Sequence, residues 1–233
     1  MQRKSLRKRR RIIFVTGTDT GVGKTLFTAL LLSSLRSNGI GALAMKPFST
    51  GDRRDAEILQ ALQKGEASLE QINPYHFRPA LAPLVAARKE GHRVSLRAAI
   101  ASIRKLSRCC QVLLVEGAGG VLVPLGEGFT LADLMRCWEC EAVVVAPNRL
   151  GGINHALLTA SALQEAGIKQ VKFALMEQTK RDLASKSNLR VLSELLAPVS
   201  VLSLPFMGEG PFRREKIERN SRALKKTLAQ FWD

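Results

Sequence analysis

The sequence predicts an α/β fold with a mostly parallel sheet and helices on both faces. Three observations lead there. Nearly continuous apolar runs of strand length recur along the chain, helix-length segments separate them, and a glycine-rich turn ending in Lys24-Thr25 follows the first run.

The strand-length runs are Ile12–Thr16, Ala42–Lys46, Val112–Glu116, Ala142–Pro147, Val171–Met176 and Val201–Leu204. Unbroken apolar character, rather than alternation, is the mark of strands covered on both faces. Helices are expected over Lys24–Arg36, Leu96–Ser107, Ile153–Ala166, Ala184–Leu196 and Arg213–Phe231. Strand and helix in alternation build parallel sheets with right-handed crossovers. Ligands then gather at the carboxyl ends of the strands, and the chemically informative residues follow strands here.

The chain has 233 residues, of which 45% are apolar and 24% charged, a balance suited to one globular domain over residues 12–233. No apolar run approaches the ~18 residues of a membrane span, so no membrane partner is expected. The basic N-terminus lacks the apolar stretch of a secretory signal, and a cytoplasmic location is expected. The net charge is +16, and seven cations fall within residues 1–11 with no acid among them. That arm reads as a disordered extension. No nucleic-acid-binding module accompanies it, and nucleic acid is not expected as a partner. Cys137 and Cys140 have metal-pair spacing, but the only other cysteines, Cys109 and Cys110, are adjacent and point apart. Packing at the end of a helix is the expected role, with reduced thiols.

The turn after the first strand reads Gly17-Thr18-Asp19-Thr20-Gly21-Val22-Gly23-Lys24-Thr25. Glycines let the backbone aim N–H groups at phosphate oxygens, and the following helix adds the positive end of its dipole. Lys24 is expected on the β- and γ-phosphates and the Thr25 hydroxyl on Mg²⁺. This is a P-loop NTPase-like arrangement with ATP as the expected ligand. Five residues separate Gly17 from Gly23, one more than the common pattern.

Glu116, at the expected end of the third strand, is placed for Mg²⁺, and Gly117-Ala118-Gly119-Gly120 lets backbone approach a ligand. A structural pairing of Glu116 with a nearby lysine is the competing reading. Lys46 ends the second strand, with Thr50 and Asp55 shortly after. Two lysines in one crevice require several negative charges between them, as with a triphosphate and an acidic substrate. Thr25, Asp55 and Glu116 complete a plausible metal shell.

These segments, with Asn73-Pro74-Tyr75, Phe129-Thr130-Leu131-Ala132-Asp133 and Leu150-Gly151-Gly152-Ile153-Asn154-His155, resemble the dethiobiotin synthetase family from about residue 12 to about residue 207. The resemblance implies ring closure on 7,8-diaminopelargonic acid with CO₂, ATP and Mg²⁺. It assigns Gly21, Val22, Gly23, Lys24, Thr25 and Leu26 to the ATP phosphates, with Glu116, Gly117, Ala118 and Gly119 beside them. Thr25, Asp55 and Glu116 would be metal-linked, and Lys46, with Lys24, catalytic. Thr20 and Thr50 would contact substrate. Leu150, Gly151, Gly152, Ile153 and Asn154 would hold the substrate carboxylate from a second subunit, which implies a homodimer. Met176, Glu177, Pro205, Phe206, Met207 and Glu209 fall at the base pocket.

Two departures stand out. Gly21 occupies a position that is often Glu in the family. Met176 stands where Asn commonly reads adenine, and Met cannot both donate and accept hydrogen bonds; Gln178 is the nearest substitute. A partitioning-type ATPase switch associated with DNA is the alternative function. Such proteins usually carry a further lysine early in the phosphate loop, where Thr18-Asp19-Thr20 stands. An amide synthase of the cobyrinate type would need a glutaminase domain, for which the chain is too short.

Overall fold

The structure is a computed structural model and describes residues 10–232. In chain order its elements are β1 (Arg11–Gly17), α1 (Lys24–Ser37), β2 (Ala42–Met45), β3 (Phe48–Thr50), α2 (Arg54–Leu62), α3 (Leu69–Ile72), β4 (Tyr75–Phe77), α4 (Pro83–Lys89), α5 (Leu96–Ser107) and β5 (Val112–Gly120). There follow β6 (Pro124–Gly126), β7 (Phe129–Thr130), α6 (Leu131–Arg136), β8 (Glu141–Asn148), α7 (Gly152–Glu165), β9 (Gln170–Glu177), a 3₁₀ turn (Ala184–Lys186), α8 (Asn188–Leu195), β10 (Ser200–Leu204), α9 (Arg214–Ala223) and α10 (Lys225–Ala229).

All six apolar runs are strands of one parallel sheet, in the order β10-β9-β8-β1-β5-β2. Right-handed crossovers fix the layers. The step from β1 to β2 puts α1 on one face. The steps through β5, β8, β9 and β10 run the opposite way across the sheet and put α5, α6, α7 and α8 on the other. The chain then returns, and α9 and α10 pack on α1. Phe231 meets Phe27 of α1 edge-on at 4.9 Å, with both rings fully buried. Removing such a ring costs about 3–5 kcal/mol, so the C-terminal helices are part of the core rather than an appendage.

Among the boundaries that differ from expectation, three are of consequence. Arg11 belongs to β1 and not to the arm. Its guanidinium forms a forked pair with Glu141 at 2.8 Å and donates to the Trp232 carbonyl, which ties the chain into the sheet one residue early. The rest of the arm up to residue 9 lies outside the described residues. Second, β5 does not stop at Glu116. It shifts register after pairing Val15 with Glu116 and rejoins β1 at Gly17–Gly120, a bulge that the glycines permit. Third, the long C-terminal helix divides at Leu224 (φ −98°, ψ 15°), and the segment from Ala184 divides at Ser187.

The cysteines sit where helices end. Cys137 caps α6, and its thiol donates to the Asp133 carbonyl; Cys109 follows α5, and its thiol donates to the Lys105 carbonyl. Burial pushes the thiols of Cys110 and Cys140 up to about 11 and about 12. Those two are poor nucleophiles at neutral pH.

Candidate active site

The first, second and third sheet-forming segments in sequence deliver their side chains to one crevice. β1 runs into the phosphate loop, Lys46 directly follows β2, and β5 carries Glu116. Because β5 lies between β1 and β2 in the sheet, Glu116 stands between the groups that the other two supply.

The loop folds tightly around its own lysine. Gly23 has φ +101°, a left-handed conformation that glycine adopts without strain. A Cβ on Gly17 would lie 2.7 Å from Val22 Cγ2 and 2.9 Å from the Asp19 carbonyl oxygen, so the loop closes only over a bare backbone. The Thr18 N–H is held by the Val145 carbonyl of β8. Lys24 donates across the loop to the Asp19 carbonyl at 2.7 Å.

Thr25, Lys46, Asp55 and Glu116 form one connected cluster. Glu116 Oε1 accepts from the Thr25 hydroxyl at 2.6 Å and from Lys46 Nζ at 2.7 Å. Lys46 Nζ also donates to Asp55 Oδ2 at 2.6 Å, Asp55 lying in the first turn of α2. Glu116 is fully buried, and its second oxygen, Oε2, has no partner among the described residues. One oxygen of Glu116 is thus paired with a lysine, and the other is left over. An orphaned carboxylate oxygen beside a threonine hydroxyl and a half-exposed aspartate is a hard-oxygen donor set that suits Mg²⁺.

The two lysines differ electrostatically. Burial pushes Lys24 down to about 8; the charge of Lys46 adds to the depression, and Glu116, Asp55 and Asp19 oppose it. Burial also acts against charge on Lys46, but Glu116 and Asp55 more than offset it and hold that group above the ordinary lysine value. Lys46 is therefore an ammonium throughout the neutral range. It can stabilise negative charge but cannot serve there as a base.

A cavity of about 210 Å³ opens over the cluster, lined by Thr20, Gly21, Gly23, Lys24, Thr25, Leu26, Lys46, Asp55, Gly119 and Phe212. Val22 is buried beneath the loop against Gly17. Gly117 and Ala118 continue β5 behind the cavity, and Thr50 ends β3 outside it. Two contributors escaped the sequence reading. Phe212, from the segment after β10, walls the cavity. Asn73 is buried and donates to the Lys46 carbonyl at 2.7 Å, while Arg53 and Ser49 hold its own oxygen. It thereby fixes the backbone from which Lys46 reaches inward. Asn73 lies in a motif quoted above, which was the available signal; Phe212 had none.

The residues expected around the base are dispersed. Met176 is buried with its side chain against the phosphate loop, 3.4 Å from where a Gly23 Cβ would stand. Glu177 Oε1 accepts from Asn148 and Ser203, and Arg181 pairs with Oε2, so this carboxylate joins the ends of β8, β9 and β10. Gln178 donates to the Met176 carbonyl. Pro205, Phe206 and Glu209 are exposed, Met207 packs on the core, and none of these four lines the cavity.

The Leu150–Asn154 segment lies outside this chain's own cavity. Gly151 caps α7 in a left-handed conformation, and Leu150 is 80% exposed. The Leu150 N–H donates to Asp182, and the Gly152 N–H to the Arg149 carbonyl. The N–H groups of Ile153 and Asn154, in the first turn of α7, have no partner among the described residues. Such a turn is an anion-binding element.

Comparison with known proteins agrees with this geometry. A family model described as an AAA domain matches residues 11–209. The ATP-dependent dethiobiotin synthetase BioD of Anaeromyxobacter sp. (strain Fw109-5) is 43% identical over 174 residues, covering 73% of this chain and 78% of that protein. The protein of the same name from Xanthomonas campestris pv. campestris (strain 8004) is 35% identical over 208 residues, covering 86% and 90%. Among solved structures, the MinC:MinD cell division protein complex of Aquifex aeolicus superposes with a TM-score of 0.61 at 16% identity, covering 94% of this chain and 95% of that one. That likeness concerns the fold alone. The phosphate loop, the strand-end lysine and the sequence identity across most of the chain lead to one assignment: the chain belongs to the dethiobiotin synthetase family.

Proposed function

We propose that this chain is an ATP-dependent cyclo-ligase of biotin biosynthesis that closes a ureido ring on 7,8-diaminopelargonic acid with CO₂, releasing ADP and phosphate. The observation that carries the reading is the Thr25–Glu116–Lys46–Asp55 cluster beside the phosphate loop. A substrate amine captures CO₂ as a carbamate and gives up a proton. The carbamate oxygen takes the γ-phosphoryl group as the bond to ADP breaks. The second amine attacks the mixed anhydride, phosphate leaves, and a second proton is lost.

Carbamate and triphosphate repel one another, and Lys24 and Lys46 would neutralise that repulsion. No enzyme nucleophile is required; positioning and charge supply the rate. Mg²⁺, held by Thr25, Asp55 and Glu116, would neutralise charge on the phosphates. Thr20, which lies over Gly119, and Thr50 are the substrate-side hydroxyls. The location is the cytoplasm, and no helix among the described residues is long and apolar enough to cross a membrane.

The active unit is a homodimer in which the first turn of α7 binds the substrate carboxylate of the other subunit. Its supporting observation is an apolar groove of about 400 Å³ that runs from Thr18 and Asp19 to α7, with Leu122 and Leu158 more than half exposed along it. Incubating the chain with ¹³C-bicarbonate, diamine and ATP tests the reaction. Labelled dethiobiotin is the expected product, and an unlabelled ring or none would reject it.

The base should be read loosely. Met176 offers apolar contact only, and Gln178 is turned toward its own strand. A site without polar groups for the base incurs no penalty when the wrong one binds. Discrimination in kcat/KM between ATP and CTP or GTP is expected to stay below about 10³-fold. A larger preference would mean that backbone groups or Gln178 read adenine.

A further inference from the structure

We infer that Asn188 and Asp182 are positioning residues for substrate binding: they clamp the loop between β8 and α7 so that the first turn of α7 presents its free N–H groups to the substrate carboxylate. The inference rests on the reading of that turn as the carboxylate site. The loop holds only Arg149, Leu150 and Gly151, between the end of β8 at Asn148 and the start of α7 at Gly152. The aim of the turn is therefore decided by what holds those residues.

Successive residues of this connection are each held by the segment 182–188. Asn148 is buried, and its Oδ1 accepts from Asn188 Nδ2 at 3.0 Å. The Arg149 carbonyl accepts from the same Nδ2, also at 3.0 Å. The Leu150 N–H donates to Asp182 Oδ2 at 2.7 Å. Asp182 is itself fixed, since its Oδ1 accepts from the Ser185 N–H at 2.8 Å and its carbonyl from the Ser185 hydroxyl at 2.7 Å. Asn188 is buried at the start of α8.

Hydrogen-bond chemistry leaves little freedom in this arrangement. Asn148 Nδ2 faces the Glu177 carboxylate at 2.7 Å and the Ser185 carbonyl at 3.0 Å, groups that only accept. Its Oδ1 must therefore face a donor, and Asn188 supplies one from an Nδ2 whose other N–H goes to Arg149. Aspartate at position 188 would be nearly isosteric but would set an acceptor against two acceptors. The N–H groups of Leu150 and Ser185 hold the Asp182 carboxyl below its usual range, so it is an anion and a strong acceptor at neutral pH. These bonds use the polar groups of the loop and leave the N–H groups of Ile153 and Asn154 without a partner among the described residues.

A clamp of this kind acts on binding and not on phosphoryl transfer. The reacting groups lie at the Lys46–Glu116 cluster, while the carboxylate is at the other end of the substrate's chain. Releasing the loop would let both N–H groups swing away from that carboxylate, and a misplacement of about 1 Å can cost about 10²-fold. Neither residue stands out in the sequence, because the three bonds to the loop and to Asn148 form only when the end of β8 and the start of α8 stand side by side.

The test is steady-state kinetics with two substrates, the diamine acid and an analogue in which a methyl group replaces its carboxyl. The parent chain is expected to favour the acid in kcat/KM by at least about tenfold. In Asn188→Ala and in Asp182→Ala, KM for the acid should rise by at least about tenfold with kcat within about threefold. For the analogue, kcat/KM should stay within about twofold, which also reports that the variants fold. Asp182 is partly exposed, so its variant carries the test if Asn188→Ala, which orphans Asn148 Oδ1, folds poorly. Asp182→Asn keeps one acceptor for the Leu150 N–H and should recover part of the loss. Asn154→Pro removes one of the two free N–H groups directly, in a first helical turn where proline is tolerated, and should weaken the preference as well. If it does so while both alanine variants keep the parent's preference, the positioning role is overturned and the carboxylate site stands. No preference in the parent, or the full preference in Asn154→Pro, would overturn the site and the positioning role with it.

Discussion

Lys46→Gln is expected to lower kcat by about 10²–10³ while ATP still binds, a loss of about 3–4 kcal/mol of transition-state stabilisation. Lys46 is 7% exposed, donates to two carboxylates and remains charged, and its carbonyl is clamped by Asn73. When carbamate attacks phosphorus, negative charge spreads over oxygens that the Lys46 ammonium would face. Glutamine keeps two N–H donors and much of the length, so the ground-state complex persists while the charge is lost. Rapid-quench measurement of phosphoryl transfer, with ATP affinity followed by calorimetry, separates the two effects. Turnover within about threefold of the parent would remove Lys46 from the chemistry.

Glu116→Gln should have a comparable effect through a different route. The carboxylate is the acceptor that both Thr25 and Lys46 share, and its Oε2 is the orphaned oxygen assigned to Mg²⁺. Neutralising it leaves buried Lys46 with Asp55 as its one carboxylate partner, and Asp55 is 44% exposed. Breaking a buried charge pair in this way costs about 3–5 kcal/mol of stability, which denaturant titration would register. The concentration of Mg²⁺ at half-maximal rate should rise at least tenfold, and kcat should fall by about 10². Glu116→Asp keeps the charge and should recover most of the stability. It serves as the comparison if the glutamine variant folds poorly. An unchanged Mg²⁺ requirement in both would remove Glu116 from the metal shell.

Much of this site was legible before the fold was known, for a physical reason. A parallel sheet sends every strand's carboxyl end to the same side, so Lys46 and Glu116 could be brought to the phosphate loop from strand order and loop position alone. The six core strands were equally legible because burial on both faces makes them continuously apolar. The short helices were not. α2 and α4 lie in segments of mixed polarity, and α3 and α6 span only four and six residues. Their capping boxes, Ser68 with Gln71 and Thr130 with Asp133, were nevertheless present as signals. Phe212 could not be placed, since its approach to the cavity depends on how α9 packs against α1. The partners of Glu177 were equally hidden: Asn148, Ser203 and Arg181 converge on it only when three strand ends stand side by side.

Phosphate release from ATP, followed with diamine and bicarbonate each omitted in turn, tests the central claim most directly. A site that uses positioned charge to join carbamate to phosphorus should release phosphate only when both are present, in a one-to-one ratio with ring product. Omitting either should lower release by at least about 10². Release at the same rate without diamine or without bicarbonate would contradict the account and make this chain a simple nucleotide switch.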